Sequence, residues 1–375
     1  MRVLVVSGGK PTEKYPLLGN FEYDQATALA SQGVEVVFFA VDLRSFRRKR
    51  PWGISHGQDS GVFWHVISLP IGAVSLPWLC KIGSGALQFL FSKVFRNQST
   101  YPDVIHAHFT EMGCMSAGLS SKYNIPLVIT EHSSLMNRPN IAPNLLKCAK
   151  IGYHQAKKVI AVSNPLKNSI SFHTDVEAEV IPNMINLETF NKAQKVEHFG
   201  YHIVSTGNLI PGKRFTNLIK AFAEVATNNG DVYLHIIGDG YMRDELVLLA
   251  TKLGVKDKVI FHGYKNAVEM TAIYEQCDCF ALVSASETFG VVYVEAMAAG
   301  LPVIATKCGG PEDFVNDNNG LLVEVDNHKQ LCDAIVFMYE NYSSYYTDVL
   351  RSYVEENFSP ESVARKIIEL YNTIL

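Results

Sequence analysis

Apolar and polar residues follow two alternating patterns along the whole chain. Short runs rich in β-branched residues predict strands buried on both faces, and longer stretches with apolar residues every three or four positions predict helices. The strands predicted in the first half are 2–6, 34–40, 62–67, 103–107, 126–130, 158–161 and 179–181. A second series is predicted at 201–206, 233–237, 259–261, 279–282, 302–305 and 321–323. Strands alternating with helices in this way indicate an α/β protein with parallel sheets covered on both faces.

The segment "IPNMINLETFNKAQKVEHFGYH", residues 181–202, interrupts this alternation. It is polar and irregular, so we place a linker there, between doubly wound domains at 1–182 and 183–357. Such domains bind ligands at the carboxyl ends of their strands, and we expect the loops of both domains to face a cleft between them. The last helix, about 358–375, is amphipathic and must pack on a domain; packing back on the first is one option.

Length and composition agree with two ordinary cores. The chain has 375 residues, of which 47% are hydrophobic and 19% are charged. Its seven cysteines show neither a zinc-module spacing nor a disulfide framework, which favours a reducing cytoplasm. The apolar run at the N-terminus is too short for a signal peptide, and no stretch has the length of a membrane span. We therefore expect a cytoplasmic protein.

Charge is distributed unevenly around a net value of −4. Residues 1–182 contain 18 Lys and Arg against 12 Asp and Glu, whereas residues 183–375 contain 15 against 25. A basic first half suggests peripheral contact with an anionic partner, such as the inner face of a membrane or a lipid phosphate. Chance surface variation is an equal alternative. The one dense basic cluster, Arg47-Arg48-Lys49-Arg50, is more typical of a solvated loop, and nucleic acid is not an expected partner.

The stretch "SETFGVVYVEAMAAGLPV", residues 286–303, places two acids around one helix. Thr288 is the expected N-cap of a helix over 289–299, which Gly300-Leu301-Pro302 ends. Glu287 then lies just outside the helix, and Glu295 lies in its second turn among apolar residues. A carboxylate in such surroundings needs hydrogen-bond donors from another side chain or from a hydroxyl-rich ligand.

The start of this helix predicts an anion site. The N–H groups of Phe289, Gly290 and Val291 have no partner within the helix, and Gly290 lets a phosphate approach the backbone. Glu295 can accept hydrogen bonds from the two hydroxyls of a ribose, and Glu287 can accept them from a second sugar. A phosphate between two polyols describes a nucleotide sugar.

These residues resemble a known signature. Glu287-x7-Glu295, followed by Ala-Met-Ala-Ala-Gly-Leu-Pro-Val, is similar to the motif of the retaining GT-B glycosyltransferases of the group 1 family. The resemblance implies two Rossmann-like domains that face a cleft. It also implies that the first Glu contacts the donor sugar, the second the ribose, and the backbone N–H groups the diphosphate.

Upstream, "STGNLIPGKRFTNLIKAF", residues 205–222, resembles the family segment that binds the diphosphate through an early Arg and a later Lys. Lys213 matches that Lys, while Asn208 stands where the Arg is expected. Either Arg214 compensates or the site is weaker. The alternative for Lys213 and Arg214 is a solvated helix start, although cations are disfavoured there by the helix dipole. Tyr264, in a further segment that resembles the family, is expected to border the base.

Three features of the first half bear on the same site. Gly19 occupies the place where the family brings backbone against the donor, whereas Gly8-Gly9 fits a turn. His106 and His108 are expected to line the cleft at a strand end, because no third ligand has metal-binding spacing. His132, in Thr-Glu-His-Ser, resembles the family histidine that contacts the donor sugar near its reacting carbon. The alternative is a neutral structural histidine satisfied by the following serine loop.

Residues 69–98 form the most hydrophobic irregular region, with aromatic and basic residues mixed, such as Trp78, Lys81, Phe89 and Lys93. Such a segment fits a membrane surface or a lipid-linked acceptor. Core packing of an ordinary helix explains it equally well.

The resemblance, together with the residues, predicts a retaining glycosyltransferase that moves a sugar from a nucleoside diphosphate sugar to a hydroxyl of a saccharide or lipid-linked acceptor. Polysaccharide, lipid-linked oligosaccharide or glycolipid biosynthesis is the expected setting. His132, Lys213 and Glu287 are the expected catalytic residues. As the family implies, the departing diphosphate takes the acceptor proton, with neither metal nor cofactor. A nucleotide-sugar epimerase of the same architecture and a non-catalytic nucleotide-sugar binding protein remain alternatives.

Overall fold

The computed structural model describes residues 1–45, 47, 51–72, 74–191 and 193–375. Within the basic cluster at 47–50, only Arg47 belongs to this part of the chain; Arg48, Lys49 and Arg50 lie outside the described residues. The chain divides into two compact units, Met1–Met184 with Pro360–Leu375, and Ile185–Ser359. The break between them lies two residues after the boundary drawn from the sequence.

The first unit contains an eight-stranded sheet with strand order β3-β4-β2-β1-β5-β6-β7-β8. Its strands are β1 Arg2–Ser7, β2 Glu35–Leu43, β3 Gly53–Asp59, β4 Val62–Leu69, β5 Val104–His108, β6 Leu127–Glu131, β7 Lys158–Ala161 and β8 Ala178–Val180. Its helices up to the break are α1 Asn20–Ser31, α2 Leu76–Val94, α3 Phe109–Tyr123, α4 Pro143–Gln155 and α5 Asn164–Thr174. The central strands are fully buried, as their continuous apolar sequences predict.

Strand β3 is the element that the sequence did not predict. It pairs antiparallel with β4 at the sheet edge, joined by a turn at Ser60 and Gly61. Its residues, "GISHGQD", are nearly all exposed and carry no apolar alternation. An edge strand held by one neighbour needs little apolar surface, so the hydrophobic pattern gives no signal for it.

The second unit contains a six-stranded parallel sheet with strand order β11-β10-β9-β12-β13-β14. Its strands are β9 Tyr201–Thr206, β10 Val232–Ile237, β11 Val259–Gly263, β12 Cys279–Leu282, β13 Val303–Thr306 and β14 Gly320–Val323. Its helices are α6 Leu187–Phe190, α7 Phe215–Asn228, α8 Arg243–Lys252, α9 Ala267–Tyr274, α10 Val291–Ala298, α11 His328–Asn341 and α12 Thr347–Phe358.

Each sheet reverses its winding once. In the first unit the chain runs outward from β1 through β2, then returns to the other side of β1 with β5. In the second unit it runs outward from β9 through β10 and β11, then returns beside β9 with β12. The loops after the two strands of such a pair diverge, and ligands of doubly wound sheets bind in the resulting crevice. The crevices are therefore next to β1 and β5, and next to β9 and β12.

The final helix, α13 Pro360–Asn372, belongs to the first unit. It packs against α1, and its buried residues are Val363, Ala364, Ile367, Leu370 and Tyr371. The Tyr371 hydroxyl hydrogen-bonds Nδ1 of His106. Of the two options that the sequence left for this helix, the structure selects packing on the first domain.

Helix α2 occupies most of the hydrophobic segment 69–98. One face packs in the core through Leu87, Leu90 and Phe91, as an ordinary helix does. The opposite face exposes Trp78 and Phe89, with the ammonium groups of Lys81 and Lys93 near the two rings. Among the described residues, no helix has both the length and the apolar character needed to span a bilayer.

The packing of α13 gives a stability prediction. Ile367 is fully buried, so we expect Ile367→Ala to lower the unfolding free energy of the first unit by about 2–5 kcal/mol through lost contacts and a cavity. Denaturant titration followed by tryptophan fluorescence measures this effect selectively, because all three tryptophans lie at positions 52, 64 and 78 of the first unit.

The matched control is Arg365→Ala on the exposed face of the same helix, where we expect a change within about 0.5 kcal/mol. Equal midpoints for the Ile367 variant and the wild type would show that α13 contributes little to the first core.

Candidate active site

In the second unit, loops from three neighbouring strands meet at the crevice next to β9 and β12. The N–H of Ala285, after β12, donates to the carbonyl oxygen of Gly212, after β9, at 2.8 Å. The Glu287 N–H donates to Cys308 at 3.0 Å, and the Gly310 N–H donates back to Glu287 at 2.9 Å. Backbone hydrogen bonds therefore fix the Glu287 position between the loops after β9 and β13.

Lys213 and Glu287 form an ion pair at this place. The Lys213 Nζ lies 2.6 Å from Glu287 Oε1, and the Ser284 hydroxyl donates to the same oxygen at 2.6 Å. The side chains keep 22% and 11% of their exposure, so the pair is largely desolvated yet still reachable. The other carboxylate oxygen, Oε2, has no hydrogen-bond partner among the described residues. The two residues that the sequence assigned to the diphosphate and the sugar thus lie side by side.

Helix α10 starts later than the sequence predicted. Thr288 is not its N-cap; Gly290 holds that position with φ +97°, and the first helical residue is Val291. The backbone bonds of Glu287 hold the preceding residues extended, so the chain turns only at Gly290, whose conformation favours glycine. Within the described part of the chain, the N–H groups of residues 289–292 have no acceptor. This unpaired set includes the three N–H groups that the sequence predicted.

Glu295 lies on the second turn of α10. Its flanking residues Val294 and Ala296 are fully buried, while its own side chain is partly exposed. Burial raises the pKa of this carboxyl group to about 7. No side chain or backbone group in the described residues donates a hydrogen bond to it. The partner that the sequence required for this acid is therefore absent from its own unit.

Three further predicted residues are less closely associated with this pair. Arg214 forms a bidentate ion pair with Asp326, with Nε–Oδ1 at 2.9 Å and Nη2–Oδ2 at 3.1 Å, so its charge is directed to that acid. Asn208 is exposed two residues after the end of β9. Tyr264 is 64% exposed after β11, two strands away from β9. The roles assigned to these residues stay predictions.

In the first unit, Gly19 is the N-cap of α1, with φ +66°. A β-carbon there would lie 2.2 Å from the Gly9 carbonyl oxygen, so only glycine fits this close approach. A cavity of about 450 Å³ opens beside it, lined in part by Gly9, Asn20, Phe109 and Glu111. Glycine backbone therefore forms one wall of the crevice next to β1 and β5, and this wall is open to the cavity.

His132 follows β6 and is joined to two polar partners. Its Nδ1 lies 2.8 Å from Asn183 Oδ1, so Nδ1 carries the proton, and its Nε2 accepts from His108 Nδ1 at 3.0 Å. Desolvation lowers the pKa of His132 to about 4 and that of His108 well below its ordinary value. Both rings are neutral near pH 7. In the alternative drawn from the sequence, His132 is a structural histidine whose hydrogen bonds come from the following serine loop. The structure instead shows the ring hydrogen-bonded to Asn183 and His108.

Sequence reasoning missed Glu131, which fixes the loop that carries His132. One carboxylate oxygen accepts the Thr110 and Tyr153 hydroxyls, both at 2.6 Å. The other accepts the N–H groups of His132 at 2.9 Å and Ser133 at 2.7 Å. Glu131 is fully buried, and burial raises its pKa. An acid at the end of a buried strand, directly before a candidate histidine, was the available signal.

The architecture of the two units defines a GT-B fold. Sucrose-phosphate synthase of Thermosynechococcus elongatus has the same fold, with a TM-score of 0.79, 20% identity, and coverage of 100% of this chain and 99% of that one. The Anabaena protein HepE, solved in complex with UDP, gives a TM-score of 0.75 at 20% identity over 99% of both chains.

Residues 188–356 match the family described as Glycosyl transferases group 1, and residues 19–189 match the one described as Glycosyltransferase Family 4. The chain belongs to the group 1 glycosyltransferases. An uncharacterized glycosyltransferase of Methanocaldococcus jannaschii is 31% identical over 64% of this chain and 66% of its own. The N-acetyl-alpha-D-glucosaminyl L-malate synthase of Bacillus anthracis is 27% identical over 72% of this chain and 74% of its own.

The depressed pKa of His132 predicts an acid-sensitive first unit. In the unfolded chain this ring takes up a proton near pH 6.5, whereas in the fold it stays neutral down to about pH 4. Stability is therefore lost as the pH falls between these values. The loss amounts to about 1 kcal/mol for one such histidine between pH 7 and 5.5.

We expect His132→Gln to reduce the pH dependence of the unfolding free energy by about this amount, measured by tryptophan fluorescence at both pH values. His154→Gln, at an exposed position, serves as the control and should keep the wild-type slope. An unchanged slope in the His132 variant would mean that this ring titrates alike in both states.

Proposed function

We propose that this protein is a retaining glycosyltransferase that moves a sugar from a nucleoside diphosphate sugar to a hydroxyl of a saccharide or lipid-linked acceptor. The observation that carries the proposal is the set of unsatisfied groups around α10. These groups are the free N–H groups of residues 289–292, the second oxygen of Glu287, and the unpaired carboxylate of Glu295. None of these groups has a hydrogen-bond partner among the residues that the structure describes, and a nucleotide sugar can supply one to each.

The diphosphate is the component that suits the start of α10. Free N–H groups and the positive end of the helix dipole attract an anion, and the Lys213 ammonium group, which is paired with Glu287, supplies further N–H donors from the neighbouring loop. During transfer, negative charge builds on the departing diphosphate. Groups that are already oriented stabilise this charge without reorganisation, which is an effective form of catalysis. No metal takes part in this proposal.

The two polyols of the donor suit the two acids. Glu295 accepts hydrogen bonds from the ribose hydroxyls, which replaces its missing donors. Glu287 accepts from hydroxyls of the transferred sugar through Oε2 while Lys213 and Ser284 keep its other oxygen fixed. Orientation of the sugar by fixed groups lowers the entropic cost of reaching the transition state.

In the first unit we assign His132 to the transferred sugar as a neutral hydrogen-bonding group. Its Nδ1–H is held by Asn183, so Nε2 is the atom available to a sugar hydroxyl, which then replaces His108 as the donor. No protein base is assigned: the leaving diphosphate oxygen takes the acceptor proton on the same face, and the anomeric configuration is retained.

Two features of the first unit support the proposed acceptor class. A cavity of about 970 Å³ has the aromatic side chains Tyr15, Trp52 and Trp64 in its walls, and aromatic faces suit the apolar faces of sugar rings. The exposed face of α2 combines Trp78 and Phe89 with two lysines, which suits an anionic membrane surface. No observation favours the epimerase or the non-catalytic alternative.

The ion pair gives the test of the proposed activity. We expect Lys213→Ala and Glu287→Gln each to lower kcat/KM for transfer by roughly 100- to 1,000-fold, because each removes an oriented charge at the reacting groups. Donors from a panel, including UDP-glucose, UDP-N-acetylglucosamine, GDP-mannose and ADP-glucose, are first ranked by thermal shift. Release of the nucleoside diphosphate is then measured with the donor that stabilises the protein, and NMR of the product gives the anomeric configuration.

Lys252→Ala, on the exposed end of α8, is the matched control and should leave kcat/KM unchanged. Wild-type rates in the Lys213 and Glu287 variants would refute the assigned roles. A product of inverted configuration would refute the retaining mechanism alone.

Glu295 gives a pH prediction for donor binding. Ribose hydroxyls donate to the ionised carboxylate, and the pKa of about 7 means that this form is lost as the pH falls below 7. We expect donor affinity to fall about tenfold per pH unit well below 7, and binding at pH 7 to release about half a proton. Calorimetry in two buffers of different ionisation enthalpy measures both quantities.

The donor itself has no titrating group in this range, because its diphosphate is esterified at both ends. Glu295→Gln should bind the donor more weakly and lose both the pH dependence and the proton release. If the variant releases the same fraction of a proton as the wild type, Glu295 is not the group linked to donor binding.

A further inference from the structure

Three cysteines from different helices meet in the first unit. Cys80 lies on α2, Cys114 on α3 and Cys148 on α4, and their Sγ atoms all lie within 4.8 Å of one another. The Sγ atoms of Cys80 and Cys148 are 3.6 Å apart. All three thiols are free, so the cluster is reduced. No two of these residues are close in sequence.

Close helix packing produces this cluster. The helices α3 and α4 approach each other at Gly113 and Gly152, where a β-carbon on Gly152 would lie 2.9 Å from the Gly113 carbonyl carbon. Gly113 directly precedes Cys114, and Gly152 lies one turn after Cys148. Larger residues at the two glycines would separate the helices and with them the sulfur atoms.

The spacing of the sulfur atoms matches a metal site. A thiophilic ion binds thiolate sulfur at about 2.3 Å, which places the sulfurs of a trigonal or tetrahedral site about 4 Å apart. Cys80 and Cys148 are buried, whereas Cys114 is partly exposed and leaves a path from solvent.

We propose that Cys80, Cys114 and Cys148 bind one divalent thiophilic ion of the Zn²⁺ and Cd²⁺ class. The ion forms three metal–sulfur bonds, the three thiol protons pass to solvent, and a water at the exposed side next to Cys114 completes the coordination. A divalent ion leaves one net negative charge on three thiolates, which is less costly to bury than the two that a monovalent ion would leave.

The site would stabilise the framework of His132. Thr110 on α3 and Tyr153 on α4 both donate to Glu131, which fixes the His132 backbone. An ion that joins α2, α3 and α4 restrains the helices that carry these donors. The expected consequence is a higher thermal midpoint of the first unit, a property independent of donor binding and transfer.

The test is a Cd²⁺ titration of the reduced full-length protein, because Cd–thiolate bonds give an ultraviolet charge-transfer band. We expect one equivalent to bind, with Zn²⁺ as competitor. Cys80→Ser, Cys114→Ser and Cys148→Ser should each weaken binding at least 100-fold. Cys332→Ser is the matched control: it removes a thiol from the group formed with Glu224 and His328, and should leave the band and the stoichiometry unchanged.

A second measurement requires no variant and covers the case in which a substitution prevents folding. Bound Cd²⁺ should protect the peptides of Cys80, Cys114 and Cys148 from alkylation, detected by mass spectrometry, while Cys308 stays reactive. It should also raise the midpoint reported by tryptophan fluorescence. Absence of the band in the wild type, loss of the band only in the Cys332 variant, or equal alkylation with and without Cd²⁺ would overturn the proposal. In that case the three thiols serve as small apolar core residues.

Discussion

A parallel sheet that reverses its winding leaves two neighbouring strands whose following loops turn to opposite faces, and a crevice opens between those loops. In the second unit the reversal falls between β9 and β12, so Lys213 and Glu287 occupy the two sides of one crevice. In the first unit it falls between β1 and β5, next to Gly19 and His108. Because the strands are buried, their packing fixes these positions, and the loops are free to carry chemistry.

Two acids show how burial separates structural from chemical roles. Glu131 is fully buried and accepts four hydrogen bonds, so its cost of burial is compensated within the fold. Glu295 also has a raised pKa, yet it accepts no hydrogen bond from the protein among the described residues. A fold retains such an acid at a cost in stability, and a ligand that supplies donors would recover that cost. This contrast is the physical basis for assigning Glu295, and not Glu131, to donor binding.

Much of the fold follows from local sequence patterns. Buried strands such as Lys158–Ala161 and Tyr201–Thr206 have the bounds that their apolar runs predict, because both faces of each strand must be covered. Strand β3 does not show this apolar pattern, because it is an edge strand that is hydrogen-bonded to one neighbour only. The sequence predicted that Lys213 and Glu287 lie at the carboxyl ends of parallel strands, since a motif that follows such a strand must lie there. It did not predict their direct ion pair, because that pair depends on backbone hydrogen bonds to the loop after β13.

Contacts between residues far apart in sequence account for the features of the structure that the sequence did not predict. Periodicity reports which face of a helix is buried, but not which residues of other helices meet that face. Asn183 and Tyr371 reach two histidines across 51 and 265 positions. The three clustered thiols arise in the same way, since each cysteine alone reads as a small core residue on its own helix. Cys114 is the informative member of this cluster. Its thiol lies close to two buried thiols and is itself partly exposed to solvent. Core packing alone requires neither the close sulfur atoms nor the exposure, whereas the proposed metal site uses both.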